Sequence, residues 1–217
     1  MTEKRPTRVV IAGGGTSGWM AAAAISRTMG RTVDLTLVES EQIGTIGVGE
    51  STIPPLVNFN RILGIGEAEF MAAAQATFKL GILFDNWKHD GHSYFHSFGL
   101  SGKDHWSAGF QHFWLYARSR GFPEPYDDYC LELAAAMQGK FAHLPQDRMN
   151  YAYHVDATLY GRYLRKLAEE SGTKRVEGKI QRAELNGETG DIAALHIDGE
   201  RRIEGEVFVD CTGFRGL

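Results

Sequence analysis

The sequence predicts an α/β fold, and three observations near its start carry that prediction. Residues 8–12, Arg-Val-Val-Ile-Ala, form a short apolar, β-branched run of the kind that makes a buried strand. Gly13-Gly14-Gly15-Thr16-Ser17-Gly18 follows at once, and Trp19 to Met29 then holds a run of alanines with few breakers, a helix that should stop at Gly30. Val33 to Glu39 alternates well enough to be a second strand. The order is strand, glycine loop, helix, strand.

That order gives the glycines a chemical reading. Gly13-x-Gly15-x-x-Gly18 is weak evidence alone, but between a strand and a helix it is a dinucleotide-binding fingerprint. Gly13 permits the tight turn, Gly15 lets backbone approach a pyrophosphate, and Gly18 lets helix and strand pack closely. The helix start offers free N–H groups and the positive end of its dipole to phosphates. Glu39 follows Gly18 at the ~20-residue distance expected of an acid that binds the adenosine ribose. A tight turn without a ligand is the plainer alternative.

Beyond Glu39 the pattern coarsens. Residues 41–55 form a connection punctuated by glycine and proline, and helical patterning returns from about Leu56 to Leu63 and from Glu67 to Thr77. Residues 78–125 mix aromatics, histidines and turn signals in an order that propensity does not resolve. Thr158 to Ser171 is an amphipathic helix with Leu159, Tyr163, Leu164 and Leu167 at helical spacing. Thr173 to Val209 reads as successive strands, with turns at Asn186-Gly187 and Asp198-Gly199. A late strand, Val207 to Asp210, runs into Thr212-Gly213 close to the last residue, so the chain is expected to be the first part of a longer protein. An NAD-binding domain would add another strand–helix unit directly after Glu39. A long insertion followed by a late strand and Thr-Gly is instead the arrangement of hydroxylase-type flavoproteins, so FAD is the expected cofactor. The expected fold is therefore a Rossmann-like FAD-binding fold of the flavin hydroxylase type. Its dinucleotide-binding parts are 5–50 and 155–217, with 51–154 inserted between them.

Composition narrows the class. The chain has 217 residues, 43% of them hydrophobic and 23% charged, which describes a globular protein. Glycine supplies 26 of them, well above the usual share of about 7%, and the excess gathers in Gly13–Gly18, Gly44–Gly49 and Gly213–Gly216. A formal charge of -4 without clustered lysine and arginine argues against a nucleic-acid partner. No apolar run approaches the ~18 residues of a membrane span, and Met1 to Arg8 carries no signal-type apolar stretch. Two cysteines, Cys130 and Cys211, make no disulfide framework and suit a reducing compartment, so a cytoplasmic location is expected.

Four segments together carry a more specific resemblance. They are Gly13-Gly14-Gly15-Thr16-Ser17-Gly18-Trp19, Gly47-Val48-Gly49-Glu50-Ser51-Thr52-Ile53-Pro54, Phe78-Lys79-Leu80-Gly81 and Asp210-Cys211-Thr212-Gly213-Phe214-Arg215-Gly216-Leu217. In this combination, running along the entire chain in register, the sequence resembles the flavin-dependent tryptophan halogenase family. The resemblance implies a two-component enzyme in which a separate NADH-dependent flavin reductase supplies reduced FAD. O2 and a halide ion, chloride or bromide, then give hypohalous acid, which reaches a lysine beside the substrate and halogenates tryptophan, indole or a similar electron-rich aromatic. It is compatible with a homodimer.

By position within its motif, Lys79 matches that lysine, and Gly47–Pro54 matches the strap joining the flavin and substrate sites, so the resemblance makes 51–154 an inserted strap, lysine and substrate region. The cofactor is then expected at Gly13, Gly15, Thr16, Ser17, Gly18 and Glu39, along the strap at Val48, Gly49, Glu50 and Ser51, and at Val176 and Gly213. His96-Ser97-Phe98 resembles the family's His-x-Phe, so His96 and Phe98 are expected to sandwich the aromatic ring. The family commonly has Ala where this chain has Ser51, a small change. Its Gly-Trp-x-Trp-x-Ile-Pro signature and the glutamate partner of the lysine do not occur in the sequence, and both are expected beyond Leu217.

Plainer readings stand beside these. A lone lysine is usually a solvated surface residue, although Phe78, Leu80, Ile82, Leu83 and Phe84 around Lys79 favour an inward amine. Such an amine could donate a hydrogen bond to hypohalous acid or, with its pKa lowered by burial, form a haloamine. Trp106, His112, Phe113 and Trp114 are core or substrate wall. His89, His92 and His96 make no metal site, because Gly91 breaks any common face and no Cys or spaced carboxylate completes one. The alternatives to a halogenase are an FAD-dependent aromatic monooxygenase and a non-catalytic FAD-binding fragment.

Overall fold

The computed structural model describes residues 5–43, 51–143 and 149–217. In chain order its elements are β1 (Thr7–Ala12), α1 (Thr16–Met29), β2 (Val33–Glu39), α2 (Pro55–Ile62), α3 (Glu67–Ala73), β3 (Thr77–Lys79), β4 (Gly81–Asp85) and β5 (Ser93–Ser97). There follow α4 (Phe110–Ser119), α5 (Leu131–Met137), β6 (Ala152–His154), α6 (Ala157–Glu170), β7 (Lys174–Glu177), β8 (Ile180–Leu185), β9 (Ile192–Ile197), β10 (Arg201–Glu204) and β11 (Val207–Asp210). The chain divides into two units. One comprises Met1–Glu50, Arg61–Gln75 and Val155–Leu217, the other Ser51–Asn60 and Ala76–His154.

The first unit is built on a parallel sheet of order β11-β1-β2-β7. β1 is its buried centre, with Val9, Val10, Ile11 and Ala12 all nearly inaccessible, as a strand covered on both faces requires. Alternation divides the labour. Val10, Ala12 and Val38 face a cluster completed by Leu195 and Ile197 of β9, in the antiparallel sheet β10-β9-β8. Val9, Ile11, Leu35 and Leu37 occupy the other face, where α1 packs. α1 in turn lies against α6, and its buried stripe of Gly18, Trp19, Ala22, Ala23 and Ser26 is mostly small, which lets the helices approach. α6 starts at Asp156, whose carboxylate accepts the Leu159 N–H at 2.8 Å, an N-cap of the usual kind. Its buried side, Tyr160, Tyr163, Leu164 and Leu167, meets Phe70 of α3 edge-on at 5.3 Å through Tyr160.

Two strands leave β1 in opposite directions along the sheet. β2 follows α1 on one side and β11 returns on the other, so the strand order reverses beside β1. In open α/β sheets that reversal opens a crevice at the carboxyl ends of the strands. Here the exits of β1 and β11 are locked together, because Ala12 pairs with Asp210 and the Cys211 N–H donates to the Ala12 carbonyl at 2.8 Å.

The second unit holds what the sequence pattern left open. β4 and β5 form an antiparallel hairpin, with Ile82 opposite His96, and β3 pairs antiparallel with β6, Thr77 opposite His154 and Lys79 opposite Ala152. The helix expected to run from Glu67 to Thr77 stops at Ala73. Gln75 takes a positive φ of 48° and turns the chain, so Thr77 to Lys79 becomes a strand. Lys79 is therefore a strand residue.

The close approach between β1 and β11 is at Gly13. Its φ is 103°, and a Cβ there would stand 2.4 Å from the Cys211 carbonyl oxygen. Gly13→Ala is expected to lower stability by about 2 kcal/mol or more, from backbone strain and a clash that cannot relax without parting β1 from β11. Urea unfolding followed by far-UV circular dichroism measures it.

Candidate functional site

The glycine loop sits where β1 ends and α1 begins. Gly15 is the N-cap of α1 and no side chain caps the helix, so its first N–H groups face outward with the dipole's positive end. Space around Gly15 is open: a Cβ there would meet nothing within 4 Å. Gly18 is the opposite case, its missing Cβ lying 1.9 Å from the Gly13 carbonyl oxygen, which is why helix and loop need glycine there. Thr16 turns its hydroxyl to the Ala157 carbonyl at 3.4 Å, and Ser17 hydrogen-bonds Cys211. Burial raises the Cys211 thiol pKa, an effect the Ser17 contact partly offsets.

Glu39 ends β2 and reaches back over the loop. A Cβ on Gly14 would fall 1.5 Å from its carboxylate. The carboxylate accepts from the Trp19 indole at 3.3 Å and from Arg175 Nε at 2.6 Å, with Arg165 at 3.7 Å. Burial works against the Arg175 charge, but Glu39, Glu177 and Glu41 outweigh it and hold the guanidinium charged. Trp19 is thus more than a packing residue, since it shares the acid with two arginines.

Beyond β11, Asp210 fixes the turn. It accepts from the Thr212 N–H and hydroxyl at 2.9 and 2.6 Å and from the Leu217 N–H at 2.7 Å. Burial pushes its pKa up, but these hydrogen bonds prevail and hold it below the usual value. Gly213 follows at a φ of 69°. Val176 of β7 sits opposite Val38 and turns its side chain into the cluster around Val10 and Leu195, leaving its backbone as the part a ligand could use. Val48, Gly49 and Glu50 lie outside the described residues.

The second unit gathers chemistry around Lys79. The side chain is only 6% exposed, and Nζ donates to Ser51 Oγ at 2.7 Å and to the Thr52 carbonyl at 2.9 Å. Among the described residues no carboxylate pairs with it. The Phe98 ring stands 5.2 Å from Nζ, so of the two expected ring residues Phe98 lies beside the lysine. His96 is exposed on β5. Burial lowers the Lys79 pKa. His154 is lowered too, by burial and then by the Lys79 charge. On the other face of β3, Phe78 stacks on Phe141 at 3.7 Å and meets Tyr151 and Tyr153. A cavity of about 300 Å³ is lined by Phe78, Lys79, Phe95, Phe141 and His154, among others. Trp106, His112 and Phe113 are exposed, and the Trp114 indole is tied to the Glu124 carbonyl at 2.9 Å.

Ser51, Thr52 and His154 were the residues that sequence reasoning missed as partners of the lysine. Ser51 had been assigned to the cofactor. The signal that would have revealed them is the β3–β6 register, which brings residues distant in sequence into one ladder.

A glycine turn at the exits of two neighbouring parallel strands, with an uncapped helix starting over it, gives the first unit an α/β architecture of the kind on which dinucleotide sites are built. The comparisons go further. The family model for tryptophan halogenases matches residues 8–217. The chain is 35% identical to tryptophan 7-halogenase RebH of Lentzea aerocolonigenes, over 97% of this chain and 43% of that protein. Among solved structures it is similar to Xcc4156, a flavin-dependent halogenase from Xanthomonas campestris, at 60% identity and a TM-score of 0.92 over 98% of this chain and 43% of that one. It is also similar to BrvH, a flavin-dependent halogenase from Brevundimonas sp. BAL3, at 41% identity and a TM-score of 0.86 over 98% and 44%. The chain belongs to the tryptophan halogenase family. It spans less than half the length of the curated relatives it matches, 43% of one and 46% of another. Among the described residues no helix is long and apolar enough to cross a membrane.

The buried lysine has a measurable pH signature. Its folded-state pKa lies below the value of 10.5 that an unperturbed lysine keeps, so between those two values the unfolded chain binds more protons. Wild-type stability should therefore gain an increment as pH rises through that window, and Lys79→Met should lack it, which thermal melts across the window compare. In the same variant the His154 pKa should move up toward 6.5, read by proton NMR of its ring.

Proposed function

We propose that this chain carries the FAD-binding and lysine-bearing part of a flavin-dependent halogenase acting on tryptophan, indole or a similar electron-rich aromatic. The observation that carries the reading is Lys79, a buried amine on a strand with two of its N–H groups committed to Ser51 and Thr52.

The residues of the first unit fit FAD. Open space at Gly15 and an uncapped α1 start suit a pyrophosphate, and Glu39, already over the loop, suits the ribose hydroxyls once it leaves Arg175. Thr16, Ser17 and Gly213 border the same crevice, and Val176 would contribute its backbone. Bound in reduced form, as a separate NADH-dependent reductase would deliver it, FAD supplies the electrons with which O2 and a halide ion yield hypohalous acid.

The chain's own contribution to halogenation is made at Lys79. The amine receives hypohalous acid at the one nitrogen position not held by Ser51 or Thr52. As the ammonium it donates a hydrogen bond to the oxygen and makes it a better leaving group. The aromatic carbon then takes the halogen as the O–X bond breaks, the oxygen leaves as water with a proton from the ammonium, and the proton that the ring carbon gives up restores the ammonium. Phe98 offers a flat face beside the amine for the ring being halogenated. Names of relatives such as tryptophan 7-halogenase support an indole-type substrate.

The test mixes the protein with FAD, a flavin reductase, NADH, O2 and bromide, with tryptophan and indole offered in turn, and reads products by mass spectrometry. The expected product is a monobrominated ring with bromine's paired isotope peaks, lost in Lys79→Ala. Bromination that persists in Lys79→Ala would overturn the lysine's role, and products carrying oxygen in place of bromine would favour a monooxygenase. A second prediction concerns the cofactor alone. Gly15→Ala should lower stability by no more than about 1 kcal/mol, since its φ of -68° suits any residue and the cost is that of a poorer N-cap. It should weaken FAD binding about tenfold or more by standing where the pyrophosphate approaches, as isothermal titration would show.

A further inference from the structure

We propose that Ser51 is a positioning residue for Lys79: its hydroxyl accepts one Nζ–H and, with the Thr52 carbonyl, aims the remaining position of the nitrogen, the one left for chemistry. This deepens the halogenase reading of Lys79 and rests on it for the meaning of that position.

Three observations carry it. The first is the pair of hydrogen bonds, 2.7 Å to Ser51 Oγ and 2.9 Å to the Thr52 carbonyl. An ammonium on its fourth bond to Cε has three N–H groups. With two of them fixed, tetrahedral geometry fixes the direction of the third.

The second is that the acceptors are themselves held. Ser51 bridges His154 beside β6. The Thr52 N–H donates to the Tyr153 carbonyl at 2.9 Å, its hydroxyl donates to the same carbonyl at 2.8 Å, and the Tyr153 N–H donates to that hydroxyl at 3.0 Å. β6 in turn pairs with β3, which carries Lys79. The lysine, its acceptors and the strand between them form one closed ladder, so the amine is aimed before any ligand arrives.

The third is the company the nitrogen keeps among the described residues. Among the described residues no carboxylate faces Lys79. The titratable group on the neighbouring strand is His154, which shares the Lys79 face of the ladder two positions along, and Phe98 supplies a ring. Within this chain's described residues, the Ser51 hydroxyl and the Thr52 carbonyl are what hold the nitrogen.

The arrangement serves both protonation states. In the ammonium, the two held N–H groups leave a third to donate outward. In the neutral amine, the same two bonds leave the lone pair in that direction. Ser51 thus decides where the reactive position points, and by accepting a hydrogen bond it favours the charged state, since hydrogen bonds to ionised groups are the stronger ones. Alanine at this position would keep the fold of the strap end and remove the acceptor.

The experiment is an NMR titration of isotope-labelled lysine side chains in the intact chain, with the Lys79 signal assigned by its loss in Lys79→Arg. Ser51→Ala is expected to move the Lys79 midpoint down by about one unit. Ser51→Cys, whose thiol is a poor acceptor, should move it the same way, and Ser51→Thr, which restores the hydroxyl, should return it to the wild-type value. Thermal melts of each variant report folding independently. A midpoint that stays put or rises in Ser51→Ala and Ser51→Cys, or one in Ser51→Thr as low as theirs, overturns the proposal. The titration needs neither FAD nor substrate. A failed bromination assay with these shifts intact would therefore count against the halogenase reading and not against the positioning role.

Discussion

The contact on which the first unit depends is the meeting of the Gly13 backbone with the Cys211 carbonyl. No side chain fits between them, so β1 and β11 can leave the sheet side by side only if the loop starts with glycine in a left-handed turn. That constraint places the start of α1 over the strand exits. Gly18 is fixed by it in turn, because the helix can reach this position only by lying on the Gly13 carbonyl. The cradle is thus a consequence of backbone packing, and its openness at Gly15 is what packing leaves over.

Charge follows from the same geometry. Glu39, at the end of β2, has the glycine loop as its neighbour and takes Trp19, Arg175 and Arg165 as partners. An acid kept beside cations in this way is presented at a defined place and can exchange one set of donors for another, which is what binding a ribose asks of it. The second unit handles charge in a different way. Among the described residues Lys79 has no carboxylate beside it, and a hydroxyl, a carbonyl and an aromatic ring surround its amine. Such an environment costs the ammonium solvation and leaves its protonation sensitive to small changes at Ser51.

Legibility in the sequence tracked the range of the interactions. The order of strand, glycine loop and helix was readable because each part has a local cause: β-branched residues for β1, φ freedom for Gly13, alanines for α1. The amphipathic face of α6 and the turns near Asn186 and Asp198 were readable on the same grounds. The late strand β11 and the Thr-Gly after it were readable, whereas its pairing with β1 is a long-range fact that the structure supplies. Residues 78–125 resisted because β3, β4 and β5 are short and mostly half-exposed, so alternation has little to report. The end of α3 was overestimated because Gln75 carries no sequence mark of its left-handed turn. Ser51 looked like a minor variation along the strap, and its bond to Lys79 exists only through the β3–β6 register, a long-range fact that no local pattern encodes.

The central claim is that the open start of α1 is a cradle for the pyrophosphate of FAD, and a crystal structure of the chain grown with FAD tests it most directly. The account predicts pyrophosphate density against the backbone N–H groups at Gly15, Thr16 and Ser17, with Glu39 turned from Arg175 to the ribose. Nucleotide density elsewhere on the molecule, with the α1 start bare and Glu39 still paired to Arg175, would contradict it.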